Sequence, residues 1–240
     1  MSVEKKILLT GASSGIGLST AKLLLNKGFS VIGLSRTKPP IDHPLFTYHK
    51  LDLMHLTEDL CKELLEATGI VDALICNAGQ GKFNNLEEFS FAQIKDLMDV
   101  NFTSHALLTR FFLPHLKRRS HANIIFIGSE AALLGKRKGT VYCASKFALR
   151  GFAQALRDEC STSNVRVSIL QPGMTDTPFF DRLDFKPDIS ISSEQIAKTI
   201  FFILSAELDV VFDEITLSPV KKKLSFTKFC EKKPLTSPEV

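Results

Sequence analysis

No apolar run in this 240-residue chain approaches the roughly 20 residues that a membrane-spanning helix needs. Cysteine is sparse: Cys61, Cys76, Cys143, Cys160 and Cys230 are odd in number, widely scattered and never spaced Cys-x-x-Cys. That pattern argues against a disulfide framework and against a cysteine zinc site. His43, His49 and His55 recur every six residues, a spacing that suits neither one helix face nor a zinc finger, so no metal is expected. A signal peptide is not expected either, because Met1–Lys6 leads into only four strand-like residues before glycine chemistry begins. These absences predict a cytoplasmic, reducing setting. With 44% hydrophobic and 23% charged residues, the composition also excludes wholesale disorder.

The body of the chain lacks net charge. Residues 221–240 hold six lysines against Glu231 and Glu239, which accounts for the whole net charge of +4 and leaves the first 220 residues balanced. A nucleic-acid enzyme would carry a basic stripe on its folded face, so no nucleic-acid partner is expected. The chain therefore divides into a domain over 1–220 and a basic tail over 221–240, read as a solvated or partner-contacting appendage.

What is present is a rhythm. Short β-branched or apolar runs at Ile7–Thr10, Val31–Leu34, Phe46–His49, Ala73–Cys76, Ile124–Ile127, Val165–Leu170 and Glu214–Leu217 read as strands. Amphipathic stretches near 16–27, 57–67, 91–118, 142–160 and 193–204 read as helices between them. No linker, repeat or low-complexity segment interrupts the alternation. It predicts a single α/β domain, a doubly wound parallel sheet of about seven strands with helices on both faces.

The first strand runs into Thr10-Gly11-Ala12-Ser13-Ser14-Gly15-Ile16-Gly17 and then a helix. Gly11 lets the chain turn out of the strand, Gly15 leaves a pyrophosphate free to approach the backbone, and Gly17 lets the helix pack on the sheet. The N–H groups and positive dipole end of the helix then face the phosphates. Glycine triplets are common in loops, but this one follows a strand and opens a helix, the context a dinucleotide cradle requires. The second strand ends Gly33-Leu34-Ser35-Arg36, without the carboxylate that would bind the adenosine ribose of NAD. Arg36 can stack on adenine and pair with a 2′-phosphate, and Ser13 could add a hydroxyl. NADP is therefore favoured over NAD.

Tyr142-Cys143-Ala144-Ser145-Lys146 places a phenol and an ammonium at i and i+4 on one helical face, with Ser129 thirteen residues upstream of the tyrosine. An adjacent ammonium favours phenolate, so Tyr142 is expected to titrate below its ordinary value of about 10. The chain has only two tyrosines, and one stands here.

Taken together, Thr10-Gly-x3-Gly-x-Gly17, Asp52 within Leu51-Asp52-Leu53, Asn77-Ala78-Gly79, Asn101, Ser129, Tyr142-x3-Lys146 and Pro172-Gly173-Met174-Thr175 resemble the classical short-chain dehydrogenase/reductase family. They occur in family order across residues 6 to about 217. The resemblance implies a Rossmann-like fold and hydride transfer between a nicotinamide and a carbonyl or secondary alcohol. It makes Tyr142 the general acid–base, Lys146 the ribose-binding partner that tunes it, and Ser129 the donor to the substrate oxygen. Asn101 would interrupt its helix to hold a proton-relay water. Asp52 and Leu53 would frame the adenine, Asn77, Ala78 and Gly79 would line the cofactor edge, and the backbone at Pro172, Gly173 and Thr175 would meet the nicotinamide. The cofactor set thus comprises Gly11, Ser13, Ser14, Gly15, Ile16, Gly17, Ser35, Arg36 and these positions, with Tyr142 and Lys146.

Substrate and assembly follow more loosely. Thr175–Ser193 would form the family's substrate lid, and Pro178-Phe179-Phe180, Leu183 and Phe185 suggest an apolar cover for a hydrophobic or medium-sized ketone or aldehyde, 3-oxoacyl- or xenobiotic-like. The alternative is a catalytically silent NADP-binding regulator, which would be expected to lose Tyr142 or Lys146. The stretches 91–118 and 142–160 carry more apolar positions than one buried face requires, including Ala106, Leu107, Phe111, Phe112, Phe147, Leu149, Phe152 and Leu156. In the family the equivalent helices pair across a two-fold axis, so a homodimer through them is expected.

Overall fold

The computed structural model describes residues 5–183, 185–222 and 224–226. In chain order it contains β1 (Lys6–Thr10), α1 (Gly15–Asn26), β2 (Ser30–Ser35), β3 (Phe46–Lys50), α2 (Glu58–Thr68), β4 (Ala73–Cys76), α3 (Phe91–Met98), α4 (Ser104–Leu116) and β5 (Ala122–Ile127). Then follow α5 (Thr140–Glu159), β6 (Val165–Pro172), β7 (Thr175–Asp176), β8 (Phe185–Pro187), β9 (Ile191–Ser192), α6 (Ser193–Leu204), β10 (Glu214–Leu217) and β11 (Leu224–Phe226).

Seven strands form one sheet in the order β10-β6-β5-β4-β1-β2-β3, every pair parallel. The predicted doubly wound α/β architecture is the observed one. Strand alternation sends residues to two cores. Leu8, Ile32, Leu74, Ile124, Phe126 and Val167 meet α2, α4 and α5 through Leu64, Leu108, Phe112, Leu149 and Leu156. Ile7, Leu9, Val31, Ile75, Ile125 and Leu170 meet α1 and α6 through Leu24, Leu25, Ile196 and Ile200. Burial on both faces is why these strands read as continuous apolar runs. Strand order reverses between β1 and β4, which opens a crevice at the carboxyl ends of those strands, where sheets of this kind hold ligands.

The helical stretch read over 91–118 is interrupted around Asn101, as the resemblance implied. A π-helical turn, Asp99–Thr103, separates α3 from α4. The cause lies in Asn101, whose fully buried amide bonds outside its own helix. Its Oδ1 accepts from Gln80 N at 2.9 Å, and its Nδ2 donates to Gln80 O and to Ser145 Oγ, each at 3.0 Å. Single π turns of this kind gather at functional sites.

The predicted tail begins with structure: β11 pairs antiparallel with β8, matching Leu224 to Pro187 and Phe226 to Phe185. Lys223 and residues 227–240, with Cys230 and Lys228, Lys232 and Lys233, lie outside the described residues.

Candidate active site

Three of the helix starts are capped by side chains: Thr57 for α2, Ser90 for α3 and Ser192 for α6. The start of α1 is not. Ser14 occupies its N-cap without a side-chain hydrogen bond, and no acid stands in the first turn. This leaves uncapped N–H groups at the sheet's switch point, the donor set a pyrophosphate needs. Gly15 sits at φ +51°, a conformation that disfavours side chains, and a Cβ there would meet Thr177 Cγ2 at 2.9 Å. A Cβ at Gly17 would overlap Gly11 O, so α1 packs against β1 only with glycine at that position. A nicotinamide dinucleotide fits these residues.

The far wall is fastened by Thr10, which is fully buried. Its Oγ1 accepts from Asn77 N at 2.9 Å and Ala78 N at 3.0 Å. Asn77 Nδ2 donates to Thr10 O at 2.9 Å, so β1 and β4 end as one rigid rim. A Cβ on Gly79 would stand 3.4 Å from Asn101 Oδ1 and 3.6 Å from Lys146 Nζ, which brings three predicted positions together. Asp52 caps the turn Leu53–His55 by accepting from Met54 N at 3.1 Å, while Leu53 packs on the core. Ser35 is buried and its hydroxyl donates to Thr37 O at 2.8 Å, whereas Arg36 is exposed beside it. Ser13 is half-buried and Ile16 packs against the α1–α6 core. On the opposite side Gly173 N donates to Leu217 O, and Thr175 Oγ1 donates to Gly173 O at 3.0 Å, holding the segment after Pro172.

Tyr142 and Lys146 are buried on α5, at 8% and 4% exposure. Ser129 ends the segment after β5, where its side chain favours the ionised form of Tyr142. The Ser129 Oγ accepts from Ala131 N at 3.1 Å. Lys146 Nζ donates to Ile127 O at 3.0 Å. The expected low tyrosine value is not found in the chain alone. Burial pushes Tyr142 up to about 12, only partly offset by Ser129, because a phenolate loses more hydration here than its neighbours return. Burial likewise pulls Lys146 down to about 8.

Sequence reasoning missed several neighbours. Gln171 is fully buried; its Oε1 accepts from Ser129 N at 2.8 Å and its Nε2 donates to Glu214 Oε1 at 3.2 Å. Glu214 in turn pairs with Arg150, two helical turns beyond Tyr142 on α5. His105, four residues after Asn101, is buried with Nε2 bonded to Ala78 O at 2.8 Å, and burial pulls it down to about 4. Its place one turn after Asn101 was the only available signal. Over the tyrosine lie Phe83, 5.0 Å away ring to ring, and Phe179 from the lid, 5.9 Å away. Phe185 stacks on Phe83 at 5.3 Å, so the lid aromatics do contact the site.

A family model for short chain dehydrogenases matches residues 5–187. The chain belongs to the short-chain dehydrogenase family. It is 28% identical over 225 residues to an uncharacterized oxidoreductase of Staphylococcus epidermidis, covering 90% of this chain and 98% of the relative. It is 33% identical over 192 residues to human retinol dehydrogenase 8, covering 75% and 61%. An alcohol dehydrogenase from Thermococcus sibiricus, solved with 5-hydroxy-NADP, superposes at a TM-score of 0.80 with 27% identity, covering 92% of this short-chain dehydrogenase and 98% of that chain. The protein is thus an oxidoreductase that uses a nicotinamide dinucleotide. Among the described residues no helix is long and apolar enough to cross a membrane.

Proposed function

We propose that this short-chain dehydrogenase is an NADP-dependent reductase of apolar, medium-sized ketones or aldehydes. The observation that carries this is the meeting of Tyr142, Ser129, Lys146 and Asn101 beside the uncapped α1 cradle and beneath an aromatic lid. Bound NADPH supplies the hydride. Tyr142 is protonated at neutral pH, the form that donates a proton to a reduced carbonyl oxygen. Ser129 holds the same oxygen as charge develops on it. Lys146 binds the ribose, and Asn101 holds a water between the lysine and bulk solvent. The pyrophosphate would lie on Ser13, Ser14, Gly15, Ile16 and Gly17, with Gly11 shaping the turn. Asp52 and Leu53 would flank the adenine, Asn77, Ala78 and Gly79 the cofactor edge, and Pro172, Gly173 and Thr175 the nicotinamide.

NADP over NAD is supported by the missing acid after β2 and by exposed Arg36, whose guanidinium has no carboxylate partner among the described residues. The Thermococcus enzyme solved with an NADP derivative supports it further. The apolar substrate is supported by Phe83, Phe179 and Phe185, and by kinship to an enzyme named for retinol, itself a largely apolar alcohol. The test is cofactor consumption against a panel of carbonyl compounds and alcohols with NADPH, NADH and their oxidised forms. Fastest turnover with NADPH and hydrophobic carbonyls is expected. Preference for NADH, or for sugars and hydroxy acids, would overturn the reading.

A further inference from the structure

Residues 133–138, Leu-Leu-Gly-Lys-Arg-Lys, are all exposed. Leu133 and Leu134 show 39% and 61% of their surface, which no core claims. The loop ends in a tight turn: Lys138 takes a left-handed conformation at φ +62°, and Gly139 N donates to Lys136 O at 3.0 Å. Its base adjoins the active site, since a Cβ on Gly139 would lie 3.6 Å from Phe83, the ring that faces Tyr142. A second segment joins the same shoulder. Glu130, whose carbonyl accepts from Leu133 N, has its carboxylate bonded by Ser218 and, at 2.7 Å, by Lys222. Between those two anchors Val220 is 96% exposed and Lys221 is exposed too. The carboxylate that could neutralise the shoulder is already committed. Lys136, Arg137, Lys138 and Lys221 have no acidic partner among the described residues.

Exposed leucine and valine side by side with unpaired cations form a surface of two chemistries. Nucleic acid would use the cations and leave the aliphatic groups in water. An anionic lipid surface uses both, drawing the cations to its headgroups while the aliphatic side chains enter the acyl boundary. We infer that Leu133–Lys138 and Val220–Lys221 form a peripheral docking surface for an anionic membrane, placed beside the mouth of the substrate site. The sequence beyond residue 222 adds lysines of the same sign. Docking does not depend on which carbonyl compound is reduced, so its failure and failure of the proposed activity are separable.

The experiment is co-sedimentation of the full-length protein with large vesicles of phosphatidylcholine, with and without phosphatidylserine, at low and physiological salt. Binding to the anionic vesicles, weakened by salt and absent on pure phosphatidylcholine, is expected. The triple variant Lys136→Glu, Arg137→Glu, Lys138→Glu should lower partitioning by about a hundredfold or more, at about fivefold per lost cation. Leu133→Ser with Leu134→Ser, which keeps every charge, should also release the protein. NADPH binding followed by fluorescence must stay unchanged in both variants, which separates docking from misfolding. Wild-type partitioning by the leucine variant would move binding to the C-terminal lysines and overturn the proposal. Equal affinity for neutral vesicles, or binding to a duplex DNA probe in preference to anionic vesicles, would overturn it as well.

Discussion

At the residue scale, one helical face carries two groups that burial drives apart, each toward its neutral form: the Tyr142 phenol upward to about 12 and the Lys146 ammonium downward to about 8. The spacing of the two was legible in the sequence, but the direction of the tyrosine shift was not. Adjacency in a motif says nothing of how much water the fold removes. Tyr142→Phe should leave NADPH affinity intact and cut turnover by about 10² to 10⁴-fold, since only the proton is lost; steady-state kinetics with parallel fluorescence titration measures both. Near wild-type turnover would mean that another acid operates. His105 makes a different prediction. With Nε2–H donating to Ala78 O and Nδ1 buried without a partner, a second proton would have no acceptor. Its value falls from 6.5 in the unfolded chain to about 4 in the fold, so between those values the unfolded state binds more protons. The stability this group confers is complete above about pH 6.5 and is lost as the pH falls toward 4. The loss amounts to roughly 3 kcal/mol. Urea unfolding across that range should show the slope, and His105→Gln should flatten it.

At the scale of elements, the inner strands β1, β2, β4, β5 and β6 could be read because burial on both faces leaves apolar runs, while the half-exposed edge strands β3 and β10 showed as short β-branched or aromatic stretches. Strands β7, β8, β9 and β11 could not, for two or three residues are too few to display a period. The break at Asn101 was legible only through the family resemblance: apolar spacing continues smoothly through 91–118, and the amide bonds to Gln80 and Ser145 supply its physical cause. Gln171 was hidden because a glutamine at a strand end reads as surface until β10 is laid beside it. The end of β2, which carries no acid, is what the proposed NADP preference rests on. NADP(H) should bind tighter than NAD(H) by at least about tenfold, or about 1.4 kcal/mol. Ser35→Asp should reverse the preference, because a carboxylate there repels a 2′-phosphate. Fluorescence titration of both cofactors decides it; equal affinities would reject the assignment.

At the scale of the molecule, two assemblies are at stake. Much of the apolar excess on α4 and α5 is used within the monomer: Phe112, Leu149 and Leu156 are buried, and Phe111 and Phe152 pack against the core. Leu107 and Phe147 remain, each 43% exposed. We propose that these two centre a homodimer interface, so Leu107→Glu with Phe147→Glu should yield monomers by light scattering. Deleting 221–240 should leave the dimer intact. The same deletion removes β11 from β8 and Lys222 from Glu130, which frees one edge of the lid. KM for the carbonyl compound should therefore rise several-fold, and an unchanged KM would show that the strap does not restrain the lid.

The sheet order also dictates a timetable. β1, the first sheet strand in chain order, lies third from one edge, with β2 and β3 outside it, while β10, the last of them, is the opposite edge. A domain folds as a unit rather than in pieces, so this sheet closes only once the ribosome has delivered Glu214 of β10. Until that residue arrives, Gln171 has no anchor for its amide and Arg150 no counter-charge. A nascent chain would thus hold Ser129 in order only after β10 has been made.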